Sequence, residues 1–184
     1  ERTPGGSSGG AAAAVAGGLV TLSTAGDGGG STRIPAGFTG MFGLKGQYGR
    51  IPNGPLGDMS NLTAVSGSIN RSVRDAARFL DATNGFDPRD PYSQVRVDGY
   101  EAGLGSVPLE GLRVVVSADL GGAAVVAERV MGIVDAHADM LIRDAGLRRV
   151  DKVVHVPEAS LEWALSGLGN IRKHLGDRWP DCAD

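Results

Sequence analysis

The sequence has one cysteine, Cys182, in 184 residues, which excludes an internal disulfide and leaves nothing to argue for an oxidising compartment. A cytoplasmic setting is the default expectation. Positive charge is not in excess. The net charge of −3 supplies neither the broad positive field of a nucleic-acid binder nor a polybasic membrane patch, so a small or uncharged partner fits better. A long hydrophobic run is also missing. The longest, Ala11 to Leu22, is broken by glycine and has no basic segment before it, so neither a membrane anchor nor a signal peptide is expected. No G-x-G-x-x-G or G-x-x-x-x-G-K-[ST] loop occurs, which removes support for nucleotide binding. The histidines and acidic residues form no cluster spaced for a metal. Nor is there an initiator methionine: the chain starts at Glu1 and opens on a glycine–serine turn, which reads as a fragment truncated at both ends.

What is present points to a packed domain. Hydrophobic residues make up 41% of the chain, enough for one sizeable core. There are thirty glycines; most of the excess lies before residue 60, clustered rather than periodic, as in loops built for close backbone approach. The chain divides into residues 1–50, 51–85 with a loop and a packing helix, 86–111 as a surface loop, and 112–184.

Five alanines and a valine between Gly10 and Gly17 predict a helix capped by Ser7 or Ser8 and ended by Gly17 and Gly18. Leu19 to Ser23 then reads as a short buried strand leading into the glycine loop from Gly26 to Ser31. A short helix is expected over Ile34 to Gly40 with Pro35 in its first turn, an extended segment over Gly43 to Ile51, and a turn-rich loop over Pro52 to Asp58. Val73, Ala76, Ala77 and Leu80 have helical spacing within Ser72 to Thr83, with Asn84-Gly85 as the stop. After the loop from Phe86 to Pro108 come a strand over Leu112 to Ser117, a helix over Ala123 to Ala145, a strand over Leu147 to Val156 and a helix over Ser160 to Leu175. Such alternation implies an α/β layered architecture.

Two serine-bearing turns stand out, Gly5-Gly6-Ser7-Ser8-Gly9-Gly10 and, twenty-four residues on, Asp27-Gly28-Gly29-Gly30-Ser31-Thr32-Arg33. Singly, each reads as ordinary loop residues. Together they offer runs of small residues whose amides can converge on an anionic tetrahedral intermediate. Asp27 and Arg33 bracket Ser31 closely enough to pair across the loop and hold its shape.

The stretch TPGGSSGGAAAAVAGGLVTLSTAGDGGGSTRIPAGFTGMFGLKGQYGR resembles the signature of the amidase signature family, which runs GGSSGG, then GSDGGGSIRIPA or GTDTGGSIRIPA, then GLKPTYGR. The match runs almost without a break from Thr3 to Arg50, and residues 66–85 more loosely resemble the helix that follows in that family. The resemblance implies an α/β/α sandwich around a mixed sheet, incomplete in this chain, and hydrolysis of a carboxylic acid amide by water with no cofactor and no metal. It makes Ser31 the nucleophile, Ser7 a bridging serine on a cis peptide bond, Gly28, Gly29, Gly30 and Ser31 the amides of the oxyanion hole, and Asp27 and Arg33 structural supports. The family's lysine base belongs to a segment reading roughly VKD, tens of residues before the glycine–serine turn. Lys45 matches the non-catalytic lysine of the GLK segment, and Lys152 and Lys173 stand in other contexts. The fragment alone is therefore expected to be inactive. Its cut sheet is expected to leave apolar edges that make it poorly soluble or self-associating, which leaves a homo-oligomer open. Thr32 in place of isoleucine, Gly46-Gln47 in place of proline-threonine, and Gly26 in place of serine or threonine depart from the pattern and bear on the substrate subclass.

Rival readings are weaker. Gly6 to Gly10 also fits the G-x-S-x-G elbow with Ser8 as nucleophile, but Arg2-Thr3-Pro4-Gly5 reads as a turn rather than the required strand. His137, His155 and His174 read as helix-surface or strand-edge groups. Asn61-Leu62-Thr63 and Asn70-Arg71-Ser72 fit the glycosylation pattern by chance in a chain without a secretory signal, and Trp163 and Trp179 read as helix packing. Two other classes remain: the glutamine-dependent amidotransferase component related to this family, which tends to read RQPA where this chain has Arg33-Ile34-Pro35-Ala36, and a non-catalytic homologue.

Overall fold

The computed structural model describes residues 2–54 and 63–178; Cys182, Trp179, Asn61 and most of the loop expected over Pro52 to Asp58 lie outside them. The chain forms two compact units, Glu1–Leu104 and Gly105–Asp184.

The first unit is built on a three-stranded antiparallel sheet of β1 (Leu22–Asp27), β2 (Phe42–Lys45) and β3 (Val65–Asn70), with β3 in the middle. Helices α1 (Gly9–Ala16), α2 (Arg33–Thr39) and α3 (Val73–Thr83) pack around it. The alanine-rich sequence of α1 lets it approach closely. Ala12 and Val15 of α1, Ala36 of α2 and Ile69 of β3 form the buried core, with Ala11, Ala25 and Met41 against it. Removing such aliphatic surface from water is the main stabilising term here.

Four expectations are corrected in this unit. The first strand begins at Leu22 rather than Leu19, whose side chain is 81% exposed; Gly18, at φ +80°, turns the chain before the strand starts. Gly26 and Asp27 consequently belong to β1 and not to the loop. Ser8 occupies the N-cap of α1, but its hydroxyl makes no capping bond and donates instead to the Gly26 carbonyl at 3.4 Å. Residues 65–70 form the central strand, where neither the spacing nor the loose family resemblance pointed to a strand. Its sequence, Val-Ser-Gly-Ser-Ile-Asn, lacks apolar alternation because the middle strand is enclosed: Ser68 and Asn70 are both fully buried, and the Asn70 amide donates to the Ser68 hydroxyl at 2.9 Å. The same burial removes Asn70 as a glycosylation acceptor.

The third helix follows its sequence closely. Ser72 caps it by accepting from the Asp75 amide at 3.1 Å, and Ala76, Ala77 and Phe79 are its buried residues, with Val73 left half-exposed. The stretch after it contains no helix or strand up to β4 (Arg113–Val114). Up to Glu101 it is nonetheless well fastened. The Asp81 carboxylate accepts from the amides of Gly99, Tyr100 and Glu101, Asn84 accepts from the Val97 amide, and the Arg50 guanidinium donates to the Val95 carbonyl at 2.9 Å.

The second unit is a small βαβ arrangement: β4 runs parallel to β5 (Arg148–Arg149), with α4 (Glu128–Asp144) between them and α5 (Ser160–Leu175) after them. The strands expected over 112–117 and 147–156 shrink to two-residue pairs, and α4 starts at Glu128 rather than Ala123. So small a sheet cannot cover two helices. No residue of α4 or α5 is buried, and Leu161, Leu165, Leu168 and Trp163 of α5 are all more than half exposed, so Trp163 does not serve as packing in this unit. His137 and His174 bond their own helices through the Ile133 and Asn170 carbonyls, and His155 is exposed. No helix among the described residues is long and apolar enough to cross a membrane.

Candidate active site

The site is organised by the last residue of β1. Asp27 is 1% exposed, and a carboxylate so placed must be compensated by donors. They come from the loop that follows. Its Oδ1 accepts from the Gly30 amide at 2.7 Å and Arg33 Nη2 at 2.9 Å; its Oδ2 accepts from Arg33 Nε at 2.9 Å and from the amides of Thr32 and Arg33 at 3.3 Å. The Arg33 guanidinium and the amides of Gly30 and Arg33 hold the Asp27 carboxyl down at about 2, against burial, which pushes it up. Arg33 itself is raised by its side-chain hydrogen bonds to Asp27. Residues 27–33 thus close into a ring around one carboxylate, with α2 growing directly out of it as Ile34 N–H donates to the Gly30 carbonyl at 2.7 Å. Gly30 sits at φ +117°, and a Cβ there would run into the Ile34 side chain, so only glycine fits this corner.

Ser31 lies at the outer edge of that ring. Its carbonyl accepts from the Ser8 amide at 3.2 Å, which ties the glycine loop to the N-terminus of α1. One residue earlier, the Gly6–Ser7 peptide bond is cis. Ser7 and Ser31 line the same cavity, of about 390 Å³, without a hydrogen bond between their hydroxyls. Gly28 also lines it. The Gly30 amide is engaged by Asp27, so it shapes the loop rather than meeting the cavity. Lys45 is exposed at the end of β2, and Lys152 and Lys173 belong to the other unit; none of the three lines the cavity.

Asn53, Ala64, Val65 and Ser66 also line the cavity, residues that sequence reasoning missed. The last three arrive there because β3 pairs with β1 in a register that sets Val65 opposite Asp27, a long-range pairing with no local signal. Apart from the paired Asp27, the lining among the described residues is uncharged. A second cavity of about 500 Å³ borders the first, sharing Ser8, Gly26 and Ser66 and adding the apolar Ala11, Ile51 and Phe79. Among the described residues no group of His, Cys, Asp or Glu could hold a metal ion.

The sequence model of the family described as Amidase matches residues 1–168. The chain belongs to the amidase signature family. Among its relatives, a glutamyl-tRNA(Gln) amidotransferase subunit from Rickettsia bellii (strain OSU 85-389) is 36% identical over 157 residues, covering 85% of this chain and 31% of that protein. The putative amidase AmiA2 of Mycobacterium bovis is 55% identical over 83 residues, 45% of this chain and 17% of that protein. A crystal structure of a bacterial aryl acylamidase of the same family superposes with a TM-score of 0.78 at 28% identity, covering 96% of this chain and 38% of that one. This amidase-family chain thus spans well under half the length of the proteins it matches, and its α/β fold is theirs in part. Membership supports amide hydrolysis or amidotransferase chemistry as the class of reaction.

Proposed function

We propose that the complete protein hydrolyses a carboxylic acid amide to the acid and ammonia or an amine, through an acyl-enzyme on Ser31. The carrying observation is that Ser7, on its cis peptide bond, and Ser31, on the Asp27-braced loop, line one cavity in a chain of the amidase signature family.

Ser31 Oγ attacks the amide carbonyl carbon while its proton passes to Ser7 Oγ, and the Ser7 proton passes to a neutral lysine. That lysine belongs to a segment preceding the glycine–serine turn in the complete protein, and none of the chain's own three lysines takes the part. The tetrahedral oxyanion is met by the amides of Gly28, Gly29 and Ser31, while Gly30 keeps the loop closed on Asp27. Return of the proton to the leaving nitrogen breaks the C–N bond, and water then attacks the ester in the reverse sense. Asp27 and Arg33 hold the loop and carry no proton. The neutral side chains among the described lining residues suit an uncharged amide. Arg33-Ile34-Pro35-Ala36, in place of the RQPA of the amidotransferase component, favours a free-standing amidase.

The test is ammonia release by the complete protein from aliphatic amides, aromatic amides and glutamine, beside Ser31→Ala and Ser7→Ala. Release lost with Ser31→Ala and reduced with Ser7→Ala supports the reading. Release from glutamine alone points to the amidotransferase class, and a folded protein that releases nothing refutes hydrolysis.

A further inference from the structure

The turn after α3 is built more firmly than a surface connection needs. Ser93 Oγ donates within it and also accepts from the Asp87 amide at 3.0 Å, the Asp90 amide donates to the Asp87 carbonyl at 3.0 Å, and Arg89 closes a bidentate pair on the Asp87 carboxylate. Inside this turn sits Asp90, only 7% exposed. One of its oxygens, Oδ1, accepts from the Tyr92 amide at 2.9 Å. The other leaves the turn altogether and accepts from the Asn53 amide at 2.8 Å, thirty-seven residues earlier in the chain.

Asn53 is a wall of the Ser7–Ser31 cavity, and it is exposed. The segment that carries it is clamped to the same turn along its length. The Gln94 amide donates to the Gly49 carbonyl at 3.0 Å, the Gln94 side chain donates to the Tyr48 carbonyl at 2.7 Å, and Arg50 donates to the Val95 carbonyl at 2.9 Å. Tyr48 and Tyr92 meet edge to face at 5.4 Å. Gly54 lies so near the Asp87–Arg89 pair that an added Cβ would come within 3.1 Å of Asp87 Oδ2. Residues 48–54 and 87–96 are therefore one braced body, and its contact nearest the cavity is the Asp90–Asn53 bond.

We infer that Asn53 contacts the substrate in the cavity that Ser31 also lines and that Asp90 is the positioning residue that holds it there. This rests on the amidase reading. A side-chain amide offers one acceptor and two donors, which matches the groups on either side of a scissile amide bond, and its usefulness depends on being held within a fraction of an ångström. A buried carboxylate fixing the backbone of that residue meets this requirement.

The experiment is a double-mutant cycle on kcat and KM in the complete protein, with the amide it turns over best. Asn53→Ala leaves the backbone bond to Asp90 in place and is expected to lower kcat/KM about tenfold, the weight of one neutral hydrogen bond. Asp90→Ala is expected to do the same in the wild-type background but to change kcat/KM less than about twofold when Asn53 is already alanine. Asp90→Asn, which keeps one acceptor, falls between wild type and Asp90→Ala, and covers the case in which the alanine variant does not fold. Equal losses from Asp90→Ala in both backgrounds, or no loss from Asn53→Ala, overturn the inference while leaving the amidase reading intact. A wild-type protein without activity on any amide overturns that reading and this inference together.

Discussion

Replacing Asp27 by asparagine tests the brace directly. An asparagine keeps the shape of the side chain but can present an acceptor on only one of its two faces. Oδ2 serves three donors and Oδ1 serves two, so the amide nitrogen takes the Oδ1 place and the Gly30 amide, which is buried, loses its partner. An orphaned buried donor costs about 1–3 kcal/mol. The Arg33 pair adds roughly 0–1 kcal/mol, because the Arg33 side chain is 54% exposed and screened by solvent. The expected loss for Asp27→Asn is then ~1–4 kcal/mol at neutral pH, read from urea midpoints of the complete protein. The pH dependence supplies a second number. Because the folded carboxyl is held below its ordinary value of 3.8, at about 2, its contribution is present above pH 4 and is lost as pH falls towards 2. That difference amounts to roughly 2 kcal/mol. The gap in stability between wild type and Asp27→Asn is therefore expected to narrow between pH 4 and pH 2. A gap that stays constant across that range, or one below about 0.5 kcal/mol at neutral pH, would refute the idea that this carboxylate organises the loop.

Other outcomes follow from single contacts. Thr32 is fully buried and its hydroxyl has no hydrogen-bond partner among the described residues, so Thr32→Val is expected to raise stability by about 1 kcal/mol, and a destabilised variant counts against it. Gly67→Ala would set a Cβ on the Leu44 carbonyl across the β2–β3 pair; it is expected to cost about 3 kcal/mol or more, seen as a lost or strongly lowered thermal transition. Asp81→Ala frees the amides of Gly99, Tyr100 and Glu101, and hydrogen exchange at those three positions is expected to accelerate while that of the β3 amides stays put. The apolar rows left open on α4 and α5 are expected to make the 184-residue chain self-associate in sedimentation, and a monomer that unfolds cooperatively would contradict this.

The sequence was most legible where local chemistry decides the structure. Ser72 and Asp75 announce the start of α3, Gly40 at φ +70° closes α2 as a glycine after a short helix should, and the serine–glycine runs mark the two turns that meet at the cavity. It was least legible where partners are distant. Val65 to Asn70 carries no strand pattern because its neighbours on both sides supply the burial that alternation normally records. Ala64 looks like an ordinary loop residue until the β1–β3 register beside it brings it to the cavity, and Asn53 does so until the bond to Asp90 is seen. The shortened β4 and β5 fail for the opposite reason: Val115, Val116, Val153 and Val154 are strand-forming residues, but a strand needs a partner, and the ladder ends after Val114 and Arg149.

The ring of residues 27–33 has a consequence for how such a protein can diverge. Every bond to the Asp27 carboxylate that shapes the loop carrying Ser31 comes from within seven consecutive positions, whereas Asn53, Ala64, Val65 and Ser66 reach the cavity from segments far away in the chain. Substitutions at 53 or 64–66 can therefore reshape what the cavity admits without touching the loop's internal wiring. The braced loop and the rest of the cavity lining are, in this fold, specified by separate stretches of sequence.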